Sequence, residues 1–276
     1  MLLNISKLSI AGLAIMSASA MASTTYANFG SIVDTGNSFN EFSLSAANGV
    51  EINVSGWSDT ENFSSSIGNP LTGDDKIARA VDFDKNGNGW SMENIDEPNK
   101  TTSNCGYSHS ADNLGSGSCN YNDYDMFLVE FSEAVNISAV TSSWLYGSTS
   151  NNQITVAALN NNELLGNSWS DVQSNQTMSS GYSGFTGTSG YYTSDLTANT
   201  ANVSGVYSST WLIGALNTVF GGNKSLEGND GFKFSGISFS TDSSTPPPAT
   251  TVPEPTSVMM FGLALVGFAA SRRKTK

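Results

Sequence analysis

The chain has 276 residues, with 24 Asp+Glu against 11 Lys+Arg and a formal net charge of −13. Acidity of this degree argues against nucleic acid and anionic lipid as partners, because both need basic patches. Small polar residues abound and aromatics make up 10% of the chain, which suits turns and strand surfaces around an aromatic core and does not fit a disordered chain.

Residues 1–22 read as a secretory signal peptide for the Sec translocon. Lys7 supplies the positive charge, Leu8 to Met16 the apolar run, and Ala18-Ser19-Ala20 and Ala20-Met21-Ala22 the small-residue cleavage pattern. Export removes Lys7, and loss of the C-terminal tail removes Glu254, Arg272, Arg273, Lys274 and Lys276. That leaves 6 Lys+Arg, 23 Asp+Glu and a net charge of −17.

Phe42-Ser43-Leu44 and Val50-Glu51-Ile52-Asn53-Val54 alternate apolar and polar residues across Asn48-Gly49. The Asn-Gly pair tolerates the positive φ of a tight turn, so a hairpin is predicted with Val50, Ile52 and Val54 inward. Asp82 to Glu93 has the spacing of an EF-hand calcium loop, with Asp82, Asp84, Asn86, Asn88 and Glu93 as oxygen donors and Gly87 at the sharp turn. Gly89 stands where such loops carry a branched apolar residue, and Asn94 to Pro98 does not continue as a helix. Two readings therefore stand, a Ca²⁺ site and a polar Asn/Gly turn.

Cys105 and Cys119 lie in the part expected to be exported, where thiols oxidise, so a disulfide is expected. Closing that loop is worth about 3 kcal/mol in the chain-entropy model. Asp96, Glu97, Asp112, Asp123 and Asp125 flank the cysteine loop, either as solvated carboxylates or as a cation site. The single histidine, His109, sits in a polar loop between Ser108 and Ser110. No Gly-x-Ser-x-Gly elbow, His-Glu-x-x-His pair or phosphate-binding glycine loop accompanies it. The chain is therefore read as a non-enzyme with no catalytic residues.

Further strands are predicted at 125–131, 135–146, 153–159, 203–207, 210–215 and 231–241, with no convincing amphipathic helix between them. In the last strand Phe232 and Phe234 share one parity while Ile237 and Phe239 share the other. A β-bulge near Ser235-Gly236 would bring all four to one face. Trp144 and Trp211, on apolar strands, are expected in the core. Trp169, Tyr191 and Tyr192 sit in polar surroundings and are the candidates for stacking on glycans.

From Asp242 the composition shifts to Ser, Thr and three consecutive prolines, an extended spacer over 242–252. Residues 253–276 then run through Pro253-Glu254-Pro255, apolar Val258 to Ala270, and the basic tail Arg272, Arg273 and Lys274. Thirteen helical residues rise about 20 Å against a hydrocarbon core of about 30 Å, a short transmembrane helix whose basic end would stay cytoplasmic.

The motif, apolar segment and basic tail resemble the PEP-CTERM sorting signal. That resemblance implies recognition and cleavage by an exosortase, with a fate at the cell surface or in an exopolysaccharide matrix. Gly56-Trp57-Ser58, the Asn94 to Asp125 stretch, Gln153-Ile154-Thr155-Val156, Ser209-Thr210-Trp211-Leu212-Ile213-Gly214-Ala215, Phe220-Gly221-Gly222 and Gly231-Phe232-Lys233-Phe234 also resemble exosortase-dependent surface proteins, a family that implies location and no settled activity.

The expected architecture is all-β: a single jelly-roll-like β-sandwich ectodomain over 23–241 between the signal peptide and the C-terminal helix. The expected function is that of an exported exosortase substrate with a structural or adhesive role. A glycan-binding module that holds exopolysaccharide is the alternative, and a secreted hydrolase ranks behind both.

Overall fold

The structure, a computed structural model, describes residues 23–33, 41–60, 76–80, 82–93, 110–113, 124–199, 203–223 and 228–242. These lie in one compact unit, Met21–Asp242. The expected signal peptide, most of the Pro-rich spacer, residues 253–276, Cys105, Cys119, His109, Asp96, Glu97 and Asp123 fall outside the described residues. No helix among the described residues is long and apolar enough to cross a membrane.

The described part of the chain is mostly β-strand, and every strand pairing in it is antiparallel. It opens with β1 (Thr25–Asn28) and a 3₁₀ turn at Phe29–Ser31. The predicted hairpin follows as β2 (Glu41–Ser45) and β3 (Glu51–Thr60), with Phe42 opposite Val54 and Leu44 opposite Ile52. Gly49 turns it at a φ of 85°, and Val50, Ile52 and Val54 are buried as expected. Next come β4 (Lys76–Arg79), β5 (Asp82–Asn86), β6 (Gly89–Glu93) and the two-residue β7 (Ala111–Asp112).

Strand β8 (Met126–Leu145) organises the rest. Two strands were expected here; one continuous strand serves two sets of neighbours. Residues 126–131 pair with β3 on one side and with β13 (Ser208–Ala215) on the other, while residues 135–145 pair with β14 (Gly231–Thr241). Ser132, Glu133 and Ala134, all exposed, mark the passage between the two sets. Between β8 and β13 lie β9 (Gln153–Leu159), helix α1 (Trp169–Asn175), β10 (Thr177–Gly184), β11 (Thr186–Thr188), β12 (Tyr191–Asp195) and the one-turn α2 (Leu196–Asn199). Residues 203–207, expected as a strand, form a turn instead. The Asn136 amide donates to the Val203 and Val206 carbonyls at 3.2 and 2.8 Å, holding the bend.

The alternation of strand side chains divides the apolar residues into two layers. Phe127, Val129, Ile154, Val156, Trp211 and Ile213 face the main core, which also takes Phe29, Phe234, Ile237 and Phe239. Met126, Leu128, Leu159 and Leu212 point to the opposite face, where Ile77, Leu164, Trp169, Val172 and Phe220 cover them. The sheet formed by β9, β13, the first part of β8 and β3 is thus buried on both sides. This explains why Trp-Leu-Ile-Gly-Ala reads as continuously apolar.

Strand β14 carries the bulge foreseen from its parity slip. Its register against β8 shifts between Phe234 and Gly236, and Phe232, Phe234, Ile237 and Phe239 all join the main core. Further shifts fall at Phe232/Phe234 and Ser238/Phe239.

Candidate functional site

The sites expected from sequence resolve differently. Residues 82–93 form a two-residue-turn hairpin of β5 and β6, with Asp82 opposite Glu93, Asp84 opposite Ser91 and Asn86 opposite Gly89. An EF-hand wraps its donors around one point. Here positions 82, 84 and 86 are strung along an extended strand, and four steps of strand span about 13 Å. One ion needs all its oxygens within about 2.6 Å, so the backbone here follows a hairpin and not the wrapped path of an EF-hand loop; Asn88 lies in the exposed turn. Among the described residues no group of three or more His, Cys, Asp or Glu side chains is placed to hold a metal ion.

Trp169, expected at a glycan-facing surface, lies in the second core instead. It is 1% exposed and its ring packs 6.1 Å from that of Phe220. The cause is local. The Ser168 hydroxyl accepts from Asp171 N–H at 3.1 Å, and the Asp171 carboxylate accepts from Ser168 N–H at 3.1 Å, a capping box that starts a helix within a polar stretch. The helix turns Trp169 and Val172 inward together. Those same Ser168 contacts, the backbone N–H first and the hydroxyl second, hold the Asp171 carboxyl below the ordinary value of 3.8.

Tyr191 and Tyr192 separate by strand parity. Tyr192 packs against the main core, and Tyr191 points out and is 61% exposed. Trp211 is buried as expected, but Trp144 is only half-buried. The Ser142 hydroxyl bonds the Trp144 main chain and shifts the strand parity, so Leu145 takes the inward place. The Lys233 ammonium sits 5.5 Å from the Trp144 ring centroid.

The densest polar chemistry is buried. Asp230 Oδ2 accepts from the Asn113 amide at 2.8 Å, and Asp230 Oδ1 accepts from Gln153 N–H at 2.6 Å. The Asn113 amide also donates to the Leu216 carbonyl at 2.7 Å. Asn152 Oδ1 accepts from Gly231 N–H at 3.0 Å, while its amide donates to the Tyr146 and Ser148 carbonyls. Nearby, Asp125 Oδ2 accepts from Asp112 N–H at 3.2 Å, and Asp112 Oδ2 accepts from the Ser110 hydroxyl at 2.8 Å. Asp112 and Asp125, two of the flanking acids, do come together here. These bonds go to the main chain and to neutral side chains, and they fasten segments distant in sequence. Asn113 and Asp230 were not singled out from sequence.

The C-terminal residues supply the functional assignment. Residues 251–274 match the family model of the PEP-CTERM protein-sorting motif. The chain carries a PEP-CTERM sorting signal. The match contains Pro253, Glu254, Pro255, the apolar segment, and Arg272, Arg273 and Lys274. A PEP-CTERM signal is the recognition element for an exosortase, and it implies export through a membrane-anchored, processed intermediate. No curated protein and no solved structure matches the chain.

Proposed function

We propose that this PEP-CTERM protein is a structural or adhesive component of the cell surface or of an exopolysaccharide matrix. In this reading the Sec translocon exports it, the C-terminal helix holds it briefly in the inner membrane, and an exosortase releases it. The unit before the spacer is a jelly-roll-like β-sandwich that serves as the displayed part. The observation that carries the proposal is the sorting signal at 251–274. The acidic, β-rich composition supports it, since such a domain stays soluble and repels other polyanions.

A second reading, a glycan-binding module, is favoured by the outward Tyr191 ring. The two overlap, because a matrix protein is retained by the polysaccharide it binds. Replacing Pro253, Glu254 and Pro255 together by alanine in the native host tests the first reading. The variant is expected to accumulate in the inner membrane with its tail intact. Normal release of that variant would contradict the proposal.

A further inference from the structure

The outer face of the sheet carries a second aromatic ring set in a different way from Tyr191. Strands β1, β14, β8 and β12 lie side by side in that order. Register places Tyr26, Gly236, Thr141 and Thr193 on the face opposite the main core, because their neighbours Ala27, Ile237 and Val140 are core residues. Tyr26 reaches across β14 from its own strand, and its hydroxyl bonds Thr141 Oγ1 at 3.2 Å. Its path runs over Gly236. A Cβ added there would lie 2.7 Å from the Tyr26 hydroxyl oxygen and 3.0 Å from Cζ. The ring therefore rests on bare backbone, tied down at its tip, and Tyr26 remains 43% exposed. Thr141 Oγ1 is also bonded by the Ser235 hydroxyl at 3.2 Å. Tyr191 stands on β12 with the same outward parity as Thr193.

From this placement we infer that Tyr26 and Tyr191 form the stacking platform for a neutral polysaccharide. The inference rests on the matrix reading above and names its ligand class. Sugar rings present apolar C–H faces and hydroxyl edges, and the sheet offers the complement: open aromatic faces above a floor of glycine, threonine and serine. A tethered ring loses little freedom on binding, so its contact is pre-organised. The charge of −17 on the exported part disfavours an anionic polymer and a second copy of the chain alike.

The test is retardation of purified full-length protein in native gels cast with laminarin, xylan or galactomannan, and with alginate as the anionic comparison. Wild type is expected to be retarded by at least one neutral polymer. Tyr26→Ala and Tyr191→Ala each weaken that retardation at least five-fold, and Tyr26→Phe, which keeps the ring, retains most of it. Tyr191 is exposed enough that its removal leaves the fold intact, so its result stands even if Tyr26→Ala unfolds. No retardation by any neutral polymer, retardation by alginate alone, or unchanged retardation of Tyr191→Ala would overturn the inference. Processing without polymer binding removes this inference only, whereas polymer binding without processing removes the sorting reading only.

Discussion

Asn113 and Asp230 hold each other through three hydrogen bonds. The Asn113 amide donates to Asp230 Oδ2 at 2.8 Å, Asp230 N–H donates to Asn113 Oδ1 at 2.9 Å, and Asn113 N–H donates to the Asp230 carbonyl at 3.1 Å. Both residues are fully buried. The pair joins the residue after β7 to the residue before β14, where Asp112 lies opposite Gly231, and β14 then pairs with residues 135–145 of β8.

Breaking the pair leaves buried donors without an acceptor, the costly case for a polar network. Asp230→Ala is expected to destabilise the domain by about 3 kcal/mol, which for a domain of this size lowers Tm by about 6–12 °C. Thermal and urea unfolding check it. A double-mutant cycle with Asn113→Ala should show strong coupling, because each single change already forfeits the same bonds.

Trp169→Ala should cost about 3–5 kcal/mol, the usual range for emptying a buried aromatic site. It should leave polysaccharide retardation of the folded fraction unchanged, since the ring is covered by Phe220 and the second core. Urea denaturation and the gel assay together separate this outcome from a surface role.

Gly214→Ala is expected to destabilise by about 1–3 kcal/mol through overpacking. A Cβ at this position would run into the Asp125 carbonyl oxygen and the Met126 sulfur, where β13 crosses close to β8. The backbone there leaves the smallest side chain no room, which accounts for the glycine in Trp211-Leu212-Ile213-Gly214-Ala215. Circular dichroism melts of the purified variant measure the effect.

The lowered pKa of Asp171 makes the start of helix α1 sensitive to acid. A carboxyl depressed on folding stabilises above its unfolded pKa, and that stabilisation is lost as pH falls through the folded value. The gap in urea midpoint between wild type and Asp171→Ala should therefore be present at pH 7 and shrink below the ordinary value of 3.8. Titrating both proteins in parallel reads it directly.

Part of this fold was legible because the signals were local. Asn48-Gly49 identified the first hairpin, the run Gln153 to Leu159 marked β9, and the parity slip around Ser235-Gly236 revealed the bulge. Strands β10 to β12 were missed because Ser, Gly and Thr give them little apolar alternation. Helix α1 has only Trp169 and Val172 on its buried face, and its capping box depends on Ser168 and Asp171, which also read as loop residues. Asn113 and Asp230 lie 117 positions apart, so their pairing leaves no trace in any sequence window. Tyr26 drew no notice because its importance comes from Gly236, on a strand at the far end of the chain.

Whether the tail is a processed sorting signal is read from the mass and location of the mature protein in its native host. With the exosortase present, a product that ends near Pro253 and lies outside the inner membrane is expected. Without the enzyme, the tail should remain and the protein should stay in the membrane. An intact tail in the inner membrane under both conditions would mean that the segment is an ordinary membrane anchor and not a processed signal.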